Sequence, residues 1–330
     1  MSADKFHVFV LDDFEELAAG VPAYQRLKAR ADVTILRERL DTHEKIAQKL
    51  RGADAVLLMR ERTSFTDEDF GRLPALKFIA QTGRTSRHLD LPAATRRGIA
   101  VAGTPSDKGT STKELTIGLI LALLRRIPQV DQRMREESWP PIPGQLLEGK
   151  TVGILGFGRI GMEVARILKV FNSRVLAYSR TLTAEKAAQA AAESAGMQTL
   201  LRESDIVTIH VPLDANTRGM IGEKELAMMK PGAMLVNTAR GPIVSEAALV
   251  AALRNGHLGG AALDVFDVEP LPMEHPLRRL NNVILLSHRG YATVEILRER
   301  YEQAMESIVD FIDGKEVNLL NPEVQVANQS

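Results

Sequence analysis

The chain has 330 residues, enough for about two domains at ~150 residues each. Its 42 basic and 42 acidic side chains cancel, which argues against wrapping nucleic acid or an anionic membrane. The absence of cysteine excludes a disulfide scaffold, a thiol nucleophile and any cysteine-ligated metal.

At the N-terminus a short apolar stretch runs into Asp12-Asp13, too short and too acidic for a signal peptide. Short β-branched runs then alternate with helix-length segments. Strands are predicted at 6–11, 33–36, 55–59, 78–81 and 99–102. Next comes an apolar helix at about 112–127. Its run 115–124 is about half the length of a membrane span and reads as buried. A polar segment ending at 139–144 (Trp-Pro-Pro-Ile-Pro-Gly) reads as a bridge between two α/β units. A second series of strands follows at 152–155, 174–178, 206–210, 234–237, 260–264 and 283–286. A long amphipathic helix at 294–311 places Ile296, Tyr301, Met305, Ile308 and Ile312 near one face, and Gly314 ends it. Neighbouring strands are mostly separated by roughly one βαβ crossover, and the runs are apolar throughout. Both facts predict parallel sheets covered by helices, in two doubly wound α/β domains. A cytoplasmic protein with no membrane or nucleic-acid partner is expected.

The run from Thr151 to Leu168 is a strand leading through Gly156-x-Gly158-x-x-Gly161 into a helix. Gly156 permits the tight turn, Gly158 a close approach of backbone to a pyrophosphate, and Gly161 close helix–strand packing. The amides and positive dipole end of the helix would hold phosphates. The next strand ends at Ser179-Arg180-Thr181, with no acid until Glu185. An acid there would bind a ribose 2′-hydroxyl. A hydroxyl, a cation and a second hydroxyl suit a 2′-phosphate instead, unless Arg180 merely faces solvent. NADP is therefore the expected cofactor, with NAD the alternative.

Three further stretches lie at or just beyond ends of predicted strands, where open parallel sheets bind ligands. They carry Arg240, then Asp264 with Glu269-Pro270, then His288 with Gly290. A guanidinium can fork onto a carboxylate, an imidazole can move a proton near neutral pH, and a carboxylate can orient that imidazole. Taken singly, each also reads as a loop cap, a surface acid or a satisfied loop histidine.

These stretches closely resemble the D-isomer-specific 2-hydroxyacid dehydrogenase family. The resemblance rests on the glycine motif, His210-Val-Pro-Leu, Asn216-Thr-Arg-Gly-Met-Ile, Met229-Lys-Pro-Gly-Ala, 235–241, 261–266, Glu269-Pro and His288-x-Gly290. It implies a Rossmann nucleotide domain (105–290) inserted into a flavodoxin-like substrate domain (1–104 with 291–330). It also implies a homodimer and direct hydride transfer between NAD(P) and a small D-2-hydroxy or 2-oxo acid, without a metal. Arg240, Glu269 and His288 would be the catalytic set. Gly156, Gly158, Arg159, Ile160, Gly161, Ser179, Arg180, Pro212, Thr217, Thr238, Ala239, Asp264 and Gly290 would bind the cofactor. Arg60, Gly83 and Arg84 would join Arg240 on the substrate side.

The chain departs from the family pattern at Ser287 and Arg289, which flank His288, and at Thr85, where a second loop glycine is usual. The cations Arg60, Arg62, Arg84 and Arg87 either select a second anionic group or are solvated. No regulatory domain like that of long phosphoglycerate dehydrogenases is expected within these 330 residues. A nucleotide-sensing corepressor-like protein on the same fold is the rival reading.

Overall fold

A computed structural model describes residues 5–84, 86–105, 109–136 and 139–324; Thr85, one of the departures above, lies outside them. The chain divides into two compact units, Met1–Asp107 with Thr293–Ser330, and Lys108–Ala292. Both the apolar helix and the polar segment ending at 139–144 belong to the second unit, so that segment is not the bridge between units.

In the first unit, β1 (Phe6–Val10), β2 (Ala31–Ile35), β3 (Ala55–Leu58), β4 (Phe78–Gln81) and β5 (Ala100–Gly103) form one parallel sheet. Their order is β2-β1-β3-β4-β5. Every residue of β3, β4 and β5 is buried, as a strand covered on both faces requires. The final helix, Val294–Ile312, covers part of this sheet through Phe311, which stacks on Phe78 at 4.3 Å between ring centroids. Tyr301, Met305 and Ile308 are buried as the helical periodicity predicts. Leu297, Ala304 and Val309 complete the face, while Ile296 and Ile312 are only half-buried. Each fully buried large side chain contributes about 1.5–3 kcal/mol. Gly314, at φ +70°, stops the helix: its amide reaches the Phe311 carbonyl (3.1 Å) and the Lys315 amide reaches that of Asp310 (2.8 Å). The tail then returns to β5. The buried Asn321 accepts from the Val101 amide at 2.8 Å and donates to Ile99 O and Thr95 Oγ1.

The second unit holds β6 (Thr151–Leu155), β7 (Arg174–Tyr178), β8 (Glu193–Ser194), β9 (Ile206–Ile209), β10 (Met234–Asn237), β11 (Gly260–Leu263) and β12 (Val283–Leu285). All pair in parallel, in the order β12-β11-β10-β9-β6-β7-β8. Alternate residues feed two cores on opposite faces. Leu155, Leu176, Val207, Ile209 and Leu235 enter one; Ile154, Val175, Ile206 and Val236 enter the other. The strand order reverses at β6, so the loops after β6 and β9 diverge and leave a crevice at the carboxyl ends. Two doubly wound parallel sheets are thus present, as the sequence pattern predicts.

The edge strand β8 has no apolar signal and escapes a reading by hydrophobic runs. The predicted helix at about 112–127 is present, and a second helix follows it in the stretch read as polar. Thr110–Arg125 ends where Arg126 turns left-handed (φ +51°), and Ile127–Glu136 follows. No helix among the described residues is long and apolar enough to cross a membrane.

Candidate active site

The three glycines of the β6 turn each answer a different steric demand. Gly156 has φ +99°, and a Cβ on it would stand 2.5 Å from the His210 carbonyl carbon and the Val211 nitrogen. A Cβ on Gly161 would lie 2.2 Å from the Gly156 carbonyl oxygen, so the helix Arg159–Val170 packs directly on the turn. A Cβ on Gly158 would meet nothing within 4 Å, leaving that face of the turn open. No side chain caps the helix, and its first internal bond runs from the Met162 amide to Gly158 O at 3.0 Å. The preceding amides of Ile160 and Gly161 therefore have no acceptor within the helix. An open glycine face beside an uncapped helix N-terminus fits a dinucleotide pyrophosphate.

Two loops flank this turn. Tyr178 O accepts the Gly156 amide at 2.8 Å, so the half-buried Ser179 and exposed Arg180 leave the sheet beside it. On the other side, His210 directly follows β9; burial pushes its imidazole down to about 4, and Nε2 lies 3.0 Å from Thr208 Oγ1. Beyond it the chain closes on itself. The Thr217 hydroxyl donates to Pro212 O (2.6 Å), and Asp214 Oδ1 accepts the Asn216 (2.7 Å) and Thr217 (3.0 Å) amides.

The carboxyl ends of β10, β11 and β12 bring Arg240, Glu269 and His288 together. Glu269 Oε2 is 2.7 Å from His288 Nδ1, and its Oε1 accepts the Phe266 amide at 2.9 Å. Burial alone would raise the Glu269 carboxyl. The His288 bond, the Phe266 amide and the charge of Arg240 outweigh it and hold the group below the usual carboxylate range. Arg240 is near enough for its charge to act on Glu269, and its Nη1 donates to Ala239 O at 2.7 Å.

His288 sits at φ +56°, a left-handed conformation that costs a non-glycine residue about 1–3 kcal/mol. Asp264 holds it there. The His288 amide donates to the Asp264 carbonyl (2.8 Å), the Arg289 amide to Oδ1 (2.6 Å) and the Gly290 amide to Oδ2 (2.7 Å). Gly290 O in turn accepts from Thr112 Oγ1 at 2.9 Å, and Thr238 Oγ1 lies 3.2 Å from Thr116 Oγ1. Asp264 thus has an amide on each oxygen, a commitment its place in the motif does not reveal.

In the first unit, Gly83 (φ +92°) faces two guanidinium groups: a Cβ on it would be 2.8 Å from Arg60 Nη1 and 3.5 Å from Arg300 Nη1. The Gly83 amide is committed to Thr104 Oγ1 at 2.7 Å. Arg60 is itself left-handed (φ +60°) and is held by its amide bond to Thr82 Oγ1. Arg62 is committed locally. It forks onto Glu15 at 2.7 and 2.9 Å, donates to Asp12 O and covers the Phe14 ring. Arg84 and Arg87 are exposed.

Residues 117–290 match the pattern of the D-isomer specific 2-hydroxyacid dehydrogenase, NAD binding domain. A glyoxylate reductase of Aeropyrum pernix is 42% identical over 298 residues, covering 87% of this chain and 88% of that one. This chain belongs to that family. A D-3-phosphoglycerate dehydrogenase of Bacillus subtilis is 37% identical over 260 residues, which span 78% of this chain and 49% of the relative. The crystal structure of a phosphoglycerate oxidoreductase from Vibrio cholerae O395 superposes with a TM-score of 0.88 at 30% identity, covering 94% of this chain and 99% of that one. The chain is thus a D-2-hydroxyacid dehydrogenase with a nicotinamide-binding domain.

Two structural supports of this dehydrogenase's site carry no chemistry of their own and escaped the sequence reading. Asn237, buried at the end of β10, accepts the Ala239 amide (3.0 Å) and donates to Arg240 O (2.9 Å), closing the loop that presents the guanidinium. Gly241 is where that loop meets the one bearing Glu269: a Cβ there would stand 2.0 Å from the Phe266 carbonyl carbon. Gly241→Ala must therefore drive the two loops apart. It is expected to destabilise the fold by about 1–3 kcal/mol. Turnover should fall by about 10²-fold, the usual effect of a 1 Å misplacement. Thermal melting and steady-state rates measure both, and wild-type values of each would refute this packing argument.

Proposed function

We propose that the chain interconverts small 2-oxo acids and D-2-hydroxy acids, with Arg240, Glu269 and His288 as catalytic residues. The observation that carries this reading is the 2.7 Å bond between Glu269 and His288 Nδ1, which leaves Nε2 to face a substrate. When bound, the reduced nicotinamide supplies a hydride to the substrate's C2. Arg240 grips the carboxylate and the 2-oxygen with its planar fork. His288, protonated, gives its Nε2 proton to that oxygen as the C2–O bond becomes single, and ends as neutral imidazole. Glu269 stabilises the positive charge before transfer and fixes the ring's orientation. In oxidation the same groups run in reverse. Gly156, Gly158, Arg159, Ile160 and Gly161 hold the pyrophosphate; Pro212, Thr217, Thr238 and Ala239 border the rest of the cofactor. Asp264 and Gly290 border the cofactor too, and through their bonds to the loop they also position His288. In the first unit, Arg60, Gly83 and Arg84 belong to the same proposal, the two cations selecting substrates that carry a second anionic group.

The test is a screen of glyoxylate, hydroxypyruvate, pyruvate, phenylpyruvate and 3-phosphohydroxypyruvate with NADH and NADPH. Saturable turnover of at least one supports the assignment. No turnover, together with stable capture of protein partners, would favour the corepressor-like alternative.

The preferred cofactor is NADP(H). Ser179 removes the repulsion an acid would impose, and Arg180 adds a charge-assisted bond to a 2′-phosphate, which amounts to roughly 3–10-fold after solvent screening. The double change Ser179→Asp with Arg180→Ala is expected to reverse the NADPH/NADH ratio of kcat/KM. A wild-type preference for NADH, or a ratio the double change leaves unmoved, removes this loop from cofactor choice.

The chain is proposed to act as a homodimer. The helix Ile127–Glu136 buries none of its residues; Ile127, Met134 and Leu146 are exposed, and Trp139 is 82% exposed. These exposed apolar side chains are the ones proposed to meet the partner. Met134→Glu with Trp139→Glu should convert the dimer to monomer by light scattering. An unchanged mass would place the interface elsewhere.

A further inference from the structure

We infer that Asp214 is a specificity residue for the nucleotide's 2′ position, opposing a 2′-phosphate and so limiting the NADPH preference that Arg180 creates. This rests on the reading above that the 179–181 loop faces the adenosine ribose.

The two loops concerned leave the sheet on either side of one turn. Gly156 donates its amide to Tyr178 O at 2.8 Å, immediately before Ser179 and Arg180. Its missing Cβ would stand 2.5 Å from the His210–Val211 peptide, three residues before Asp214. Asp214 is held rather than mobile. Its Oδ1 takes the Asn216 and Thr217 amides, and its own amide donates to Thr217 Oγ1 at 2.8 Å. Oδ2 accepts none of these bonds. Those amides, the Thr217 hydroxyl and the charge of Arg180 together hold the carboxyl below its usual range, so the two exposed side chains lie within each other's field. Among the described residues they form no ion pair, and Arg180 makes no hydrogen bond.

A phosphomonoester carries a charge of about −1.5 to −2 near neutral pH. Placed on Arg180 it enters the field of a fixed carboxylate, whereas a 2′-hydroxyl placed there is indifferent to it. Two exposed charges several ångströms apart interact weakly in water, and salt weakens them further. The expected discrimination against NADPH is therefore roughly 2–6-fold at low ionic strength.

Asp214→Asn is the discriminating variant, because its amide oxygen still accepts the Asn216 and Thr217 amides and preserves the turn. Dissociation constants for NADPH and NADH, read from nucleotide fluorescence, should show NADPH binding tightened about threefold and NADH changed by less than 1.5-fold at 20 mM salt. The difference should vanish at 500 mM salt. An unchanged NADPH/NADH affinity ratio, or an equal change for both nucleotides, overturns the inference. Arg180→Gln judges the underlying reading separately. Loss of the NADPH preference in that variant places the loop at the 2′ position. No loss there defeats the reading itself, whatever Asp214→Asn shows.

Discussion

Replacing His288 with glutamine is expected to lower turnover by roughly 10²–10⁴-fold, the usual worth of a positioned acid or base, while nucleotide binding persists. Glutamine can donate a hydrogen bond but cannot give up a proton at neutral pH, so the substrate oxygen that His288 is proposed to protonate would have no proton source. Binding should survive because the loop is fixed by main-chain amides of 288, 289 and 290 on Asp264, which the substitution leaves in place. Single-turnover rates and nucleotide fluorescence measured on the same variant separate the two effects. Near-wild-type turnover would remove His288 from the chemistry.

Arg240→Lys is the second large effect. The charge is kept, but the fork proposed to hold a carboxylate and the adjacent 2-oxygen in one plane is lost. The loop that carries Arg240 is clamped by Asn237 at both ends, so the shorter reach of a lysine is not recovered by backbone movement. A drop of about 10²-fold or more in kcat/KM follows from misorienting the reacting carbonyl. The electrostatic brake that Arg240 places on Glu269 should remain, since a lysine carries the same sign. Recovery of most activity by lysine would reduce Arg240 to a point charge.

The fold was largely legible because its signal is repetitive. Eleven apolar runs spaced by crossover lengths leave little alternative to parallel sheets, and the strands observed fall within a few residues of those runs. What escaped was local. Glu193-Ser194 pairs with β7 on an edge where no burial is demanded, so nothing in its composition marks it. The helix Ile127–Glu136 escaped too: it buries none of its residues and lies in the stretch read as a polar segment. Within the site, residue types that bear chemistry could be singled out by chemistry alone. The residues that hold them in place could not. Asn237 and Gly241 act through backbone geometry that exists only once the strands are side by side. Gly83 reads as a substrate-side residue, but nothing in the sequence shows that Thr104 takes its amide at 2.7 Å.

The hold of Asp264 on the loop after β12 has a bearing on how such a site diversifies. All three bonds are made by main-chain amides, so the position of His288 does not depend on which side chains stand before and after it. Ser287 and Arg289, where this chain leaves the family pattern, occupy those two flanking places. Substitution there changes what surrounds the imidazole without changing where it is. Polarity and charge beside the imidazole can thereby be retuned while its main-chain anchorage stays intact.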